Sequence, residues 1–255
     1  MYFKKVFYFF SVIVLSISSI GVFAQEAPPI GMNVIVYHVD PGQEANFETV
    51  SAKFKAAADK VGSPAYGGYS PGIGADGQYA FVSPFNSFKI FADQQNVLAE
   101  VYKGQELADI GEMYQNSVSS TESYIIIPRP DLSVAPPEFE TPPEVLLLIS
   151  VTVKNGMGAE YMEHLEKLAE ATKATSPGVY YSAFQPGLGS GPIWRFGIAM
   201  DWEDLDTRGK PIPQRLMEHF GARKGEKIST TGQAAVESVV YVVNRIRPDL
   251  SHNNQ

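Results

Sequence analysis

The chain contains no cysteine and four histidines in 255 residues, so thiol chemistry is excluded and proton handling near neutral pH falls to a few identifiable side chains. His38 sits in the run VIVYHV, in phase with Val36 and opposite in phase to Ile35, Tyr37 and Val39. In a strand the two sets occupy opposite faces, and the uniformly apolar set suits the face covered by helices. His38 is then expected on the other face, either as a hydrogen-bonded core residue or as a ligand contact. Arg195, in IWRFGIAM, and Arg245, in VVYVVNRI, also fall in strand-like runs, next to Trp194 and in the same half of the chain as Tyr181. An arginine in such a run either snorkels from the strand edge or meets a polar ligand. These five residues, His38, Tyr181, Trp194, Arg195 and Arg245, form the candidate ligand-binding set.

Other arrangements are excluded by context. Gly72, Gly74 and Gly77 spell GxGxxG, but the strand-like QYAFV follows where a dinucleotide site requires a helix. A hairpin is expected there, and no phosphate loop. The acidic run DWEDLD lacks the calcium-loop spacing, because the twelfth residue counted from Asp204 is Arg215. Acidic residues at a helix start explain it better. No GxSxG, HExxH or GK[ST] sequence is present. No metal site is expected.

The elements that position these residues emerge from an internal repeat. RPDLS occurs at residues 129–133 and again at 247–251, each time after a β-branched run. Val39, Gly42, Ala45 and Phe47 answer Val153, Gly156, Ala159 and Tyr161, and YSPGIG at 69–74 answers FQPGLG at 184–189. Blocks in the same order at nearly constant shift indicate duplication. In the first copy, strand periodicity covers 34–39, 66–69, 78–82 and 123–127. Helical spacing joins Phe47, Val50, Phe54, Ala57 and Val61, and a mostly helical region at 85–118 is expected to break near Gly104 and Gly111. The second copy repeats the plan with strands at 145–153, 179–184, 193–200 and 236–246. Its helices are expected at 161–175 and around 212–221. By this alignment the first copy has Ala80 and Ile127 where the second has Arg195 and Arg245.

The order β, α, β, β, α, β is the ferredoxin-like arrangement, whose sheet carries both helices on one face. So small a unit cannot leave its other face in water. The expected fold class is therefore α+β, two ferredoxin-like βαββαβ repeats packed sheet to sheet as a single-chain α+β barrel. Its divisions are a signal peptide at 1–24, repeat 1 at 25–134, a Pro-rich linker at 135–143 (APPEFETPP) and repeat 2 at 144–255.

Lys4 and Lys5, an apolar stretch to Phe23 and small residues at Val22 and Ala24 give the order of a secretory signal, with cleavage expected after Ala24. An uncleaved anchor is the rival reading. Loss of the two lysines moves the formal charge from −8 to −10. An acidic surface repels phosphate backbones and anionic membranes, so neither nucleic acid nor membrane is an expected partner of the mature chain. Without cysteine no disulfide contributes to stability. Export to a bacterial periplasm or medium is the expected localisation.

Strand, turn (VDPG or VKNG), amphipathic helix with an early aromatic (Phe47, Tyr161), Gly-containing hairpin and a strand bearing Tyr79 or Trp194 resemble the dimeric α+β barrel superfamily. That group includes antibiotic-biosynthesis-monooxygenase-like, NIPSNAP-like and chlorite-dismutase-like proteins. The resemblance spans residues 32–250 and implies a pocket between sheet and helices or in the barrel, without transferring a mechanism. Some members bind haem through a helix histidine. His219, in RLMEHF, has Met217 and Phe220 beside it but also Arg215, Glu218, Arg223 and Lys224, the setting of a solvated face; His164 is the weaker candidate. No cofactor is expected, with haem as the minor alternative.

Two functions of different class follow. The first is an exported small-molecule-handling barrel that binds, and in one version transforms, an apolar or aromatic ligand using the candidate set. The second is a non-catalytic structural or interaction protein whose pseudo-dimeric core is filled. A cavity of a few hundred Å³ with convergent polar groups separates them.

Overall fold

A computed structural model describes residues 29–92, 97–136, 138–207 and 209–253. The expected signal segment, 1–24, lies outside the described residues. Eight strands form a closed barrel in an α+β fold. They are β1 (Gly31–Val39), β2 (Gly67–Ile73), β3 (Gln78–Phe85), β4 (Val118–Pro128), β5 (Val145–Val153), β6 (Ser182–Pro186), β7 (Ile193–Met200) and β8 (Val236–Ile246). Round the barrel the order is β1-β3-β2-β8-β5-β7-β6-β4. Taken separately, the first four strands read β4-β1-β3-β2 and the last four β8-β5-β7-β6.

All neighbouring pairs are antiparallel. Strands therefore alternate in direction, and the C-terminal ends of β1, β2, β5 and β6 share one mouth with the N-terminal ends of the other four. Two short seams close the barrel. At one, Tyr69, Ser70 and Pro71 of β2 pair with Ile246, Arg245 and Asn244 of β8; at the other, Ile126, Ile127 and Pro128 of β4 pair with Pro186, Gln185 and Phe184 of β6.

RPDLS reinforces both seams. Arg129 pairs with Asp131, while the Ser133 hydroxyl donates to the Arg129 carbonyl (2.8 Å) and accepts from the Ala183 N–H of β6 (2.9 Å). Arg247, Asp249 and Ser251 repeat this, with Ser251 accepting from the Gly68 N–H of β2 (2.8 Å). Leu132 and Leu250 are buried beneath. Each copy of the motif satisfies a backbone N–H that would otherwise be unpaired where the sheet changes halves.

Helices cover the outside in two layers. Over the first four strands lie α1 (Glu44–Val61), α2 (Lys89–Ala92), α3 (Val97–Val101) and α4 (Gly104–Gln115); over the last four lie α5 (Gly158–Thr175), α6 (Ile212–Phe220) and α7 (Ala222–Ala235). α1 turns Phe47, Val50, Ser51, Ala57 and Ala58 inward and ends at Gly62 in the left-handed region (φ 68°), whose N–H reaches the Ala58 carbonyl. Gly111 lies inside α4 and does not break it, contrary to expectation; the break falls at Gly104, at φ 57°. The second helical region also continues past Gly221 as α7. DWEDLD begins not an α-helix but a 3-10 helix, Trp202–Asp206.

Gly74 and Gly77 of GxGxxG lie in the β2–β3 connection and Gly72 near the end of β2, so the three glycines serve a hairpin. A Cβ on Gly72 would strike the Val243 backbone of β8, and one on Gly77 (φ 66°) would come within 2.7 Å of the Val39 carbonyl. Glycine serves close backbone approach here, with no helix following.

Candidate functional site

Two chambers occur among the described residues, on opposite faces of the first half's sheet. The larger, about 1050 Å³, lies between that sheet and α1 to α4. Its walls are chiefly aromatic and aliphatic, with Ile35, Tyr37 and Phe81 from the strands and Phe54 and Ile110 from the helices. Strand alternation places Ile35 and Tyr37 here, as the phase of VIVYHV predicted. The aromatic rings support one another: Tyr37 meets Phe47 at 5.4 Å and Tyr114 at 6.1 Å, and Tyr66 meets Phe81 at 5.8 Å.

Polar atoms in this chamber are few. Tyr66, 8 % exposed, borders it, and its hydroxyl is the buried side-chain atom left without a hydrogen-bond partner among the described residues. Such an atom is costly unless something fills the role of partner. Burial pushes the Tyr66 phenol well above its ordinary range, and the nearby Asp59 and Tyr37 add to this. Burial likewise pushes Tyr37 up to about 12. Both phenols stay protonated at neutral pH, so each has a proton to offer an acceptor. Ser51 and Asn33, both buried, contribute the other recessed polar groups.

The wall at Tyr66 is held by the C-terminal segment. His252, 3 % exposed, donates from Nε2 to the Ser63 carbonyl (2.9 Å), and its Nδ1 lies 2.6 Å from Asp59 Oδ1. Its ring packs 5.8 Å from that of Tyr66, and the two residues form an antiparallel backbone bridge. Asp59 lies below its ordinary carboxylate range because Lys55 and His252 both hydrogen-bond to it.

The second chamber is the barrel lumen, about 400 Å³. Of the candidate set, His38 and Arg195 reach it. His38 lines the shared mouth, with Nε2 3.0 Å from Glu122 Oε1. Arg195, 8 % exposed, donates from Nη1 to Ser190 Oγ (2.5 Å) and lies 4.0 Å over the Tyr124 ring. Tyr181 borders the lumen but lays its ring on Phe196 (5.9 Å). Trp194 alternates to the helix side and packs against Tyr161 at 6.0 Å. Arg245 is exposed and stacks on Trp202 at 4.8 Å. The five residues therefore do not converge, because adjacent strand residues such as Trp194 and Arg195 face opposite sides.

Tyr66, Ser51 and Asn33 were not among the sequence candidates. A signal existed in the comparison of the two halves, where Tyr66 answers Tyr181 and Ser51 answers Leu165, whereas the candidates were a strand histidine together with two arginines and two aromatics of the second half.

Neither helix histidine fits an axial haem ligand. His219 is ion-paired with Glu170 (3.1 Å) and packs on Phe220, which Lys167 and Lys224 also cover. His164 donates from Nδ1 to the Ile228 carbonyl (3.2 Å), and Gly232 of α7 presses so closely on its ring that a Cβ could not be added. That leaves no porphyrin-wide slot beside it. Among the described residues no three His, Cys, Asp or Glu gather as metal ligands.

No protein-family model matches the sequence, nor does any curated protein. Solved structures do match the fold. A putative monooxygenase from Lactobacillus acidophilus NCFM aligns with TM-score 0.50 and 12 % identity over 89 % of this chain and 96 % of its own. An anthrone oxidase-like protein gives 0.52 and 14 % over 86 % and 92 %, respectively. A mutant chlorite dismutase from Candidatus Nitrospira defluvii gives 0.53 and 10 % over 88 % and 94 %. At such identities the likeness is one of fold alone, an α+β barrel.

Proposed function

We propose that this chain is an exported small-molecule-handling protein, built from a doubled βαββαβ unit, whose ligand chamber is the cavity between the first half's sheet and its helices. The observation that carries the reading is the Tyr66 hydroxyl, buried without a partner at the wall of an aromatic cavity of about 1050 Å³. A chamber of that size with few polar groups suits a neutral apolar or aromatic molecule. A protonated phenol in it suits a carbonyl or ether oxygen as the ligand's one acceptor. The same cavity weighs against a filled, purely structural core. Recurrence of the strand order in the two halves and of the RPDLS latch supports the duplication, and the leader's residue order supports export.

Binding of 9-fluorenone, a flat neutral ketone, tests the chamber by fluorescence or calorimetry. Tyr66→Phe is expected to weaken binding about 3- to 10-fold, the worth of one hydrogen bond. Ser51→Leu, which intrudes on the cavity, should weaken it by more. Unchanged affinity in both variants sinks the reading. Native mass spectrometry with an absorption spectrum of the secreted chain identifies any retained ligand, and its N-terminal residue checks cleavage before Gln25.

A further inference from the structure

Arg195 is a second buried polar group that the outer chamber does not use. It lies on β7 facing the lumen, opposite in phase to Trp194 and Phe196. Its Nη1 has two neutral partners, Ser190 Oγ and the Ile193 carbonyl (3.3 Å), and its guanidinium stacks on Tyr124. Among the described residues no carboxylate pairs with it. The nearest acidic group along the lumen wall, Glu122, is turned onto His38. A guanidinium withdrawn from water without a counter-charge is strongly disfavoured, and an anion that enters with it offsets that cost. In the first copy the equivalent position is Ala80, which also lines the lumen.

The lumen carries its charged groups at one end and is mostly apolar at the other. His38, Glu122, Gln78 and Ser150 stand toward the shared mouth, and Arg195 pairs across the sheet with Ser150. Toward the opposite end the wall is chiefly Met32, Val34, Ile126, Leu146, Val242 and Ile246, with Asn244 as its buried polar side chain, and Phe139 packs there on Tyr180 at 5.8 Å. An occupant complementary to both ends has an apolar body and one anionic head. We infer that the barrel lumen binds a small apolar carboxylate, with its head on Arg195 and its tail toward the Phe139 end, independently of the outer chamber.

Calorimetric titration of the purified full chain with octanoate tests this, with octan-1-ol as the uncharged counterpart. Octanoate is expected to bind at least about tenfold more tightly than octanol, as a charge-assisted contact to a buried guanidinium implies. Arg195→Met should remove that preference while keeping the apolar stem. Ala80→Phe, which fills the lumen without touching Arg195, should weaken octanoate by a similar factor and serves if Arg195→Met does not fold. Tyr66→Phe should leave octanoate unchanged. Three results each overturn the inference: no octanoate binding to the wild type, undiminished binding in Ala80→Phe or a folded Arg195→Met, or loss in Tyr66→Phe. The last would place the anion in the outer chamber.

Discussion

Tyr66 and Tyr181 hold the same place in the two halves. Each is buried, each stands just before the second strand of its half, and each is bridged to a segment following RPDLS, Tyr66 to His252 and Tyr181 to Val134. Their hydroxyls differ. Tyr66 Oη is buried with no partner among the described residues, whereas Tyr181 lies near Thr172 of α5, which accepts from Arg215 at 3.2 Å. At the same place in α1 as Thr172 in α5 stands Ala58, which has no hydroxyl to offer. The difference extends through the layer. Beneath α5 and α7, Tyr161, Leu165, Trp194 and Phe196 form one continuous cluster, while beneath α1 and α4 Ser51 stands at the place of Leu165 and a cavity opens. One half of the barrel carries a continuous packed cluster under its helices, and the other leaves space there.

The largest expected effect follows from that packing. Trp194→Ala should destabilise the protein by about 3–5 kcal/mol, the range for emptying a full aromatic site. Phe54→Ala, at the partly exposed cavity wall (37 %), should cost under about 1.5 kcal/mol, since no tight packing is lost. Denaturant midpoints decide it, and equal costs would break the comparison.

The next effect concerns the latch that ties the looser layer down. Arg247 holds both oxygens of Glu48 (2.6 and 3.0 Å), and Tyr79 donates to the same carboxylate. In the other half Arg129 meets Gln185 and the Met162 sulfur. Arg247→Ala should cost about 2 kcal/mol, as for charge-assisted hydrogen bonds to a half-buried carboxylate. The bond to Arg247 lowers the Glu48 pKa below its usual 4.5. A depressed carboxylate contributes stability that is complete above the unfolded-state pKa, so this increment should hold above 4.5 and fade as pH falls through the lower folded value. Glu48→Gln should flatten that part of an acid titration.

The smallest effect sharpens the comparison by making the halves more alike. Ser51→Leu supplies the residue that α5 carries as Leu165, and should stabilise the unliganded protein by about 1 kcal/mol through cavity filling while it weakens ligand binding. Thermal unfolding with and without 9-fluorenone reads both signs.

Much of the fold was legible because its signals are local or repeated. Alternation in VIVYHV put Tyr37 and His38 on opposite faces, and the echoes of RPDLS and PGxG aligned the halves before any coordinates. The candidate site was less legible. Trp194, Arg195 and Tyr181 are close in sequence and were grouped, yet a strand sends neighbours apart. Arg245 proved to be an exposed side chain stacked on Trp202, since nothing local marks which edge a strand presents.

The amino-acid sequence by itself determined the periodicities, the turn glycines, the acidic charge and the recurrence of one plan, because each depends on residues near one another or on composition. Only the tertiary structure decided that the Tyr66 hydroxyl is left without a partner, that Arg195 is buried without a carboxylate, and that a cavity opens beneath the first helix layer. Those are properties of what fails to meet across long separations, and an absent contact leaves no mark on the residues that would have made it.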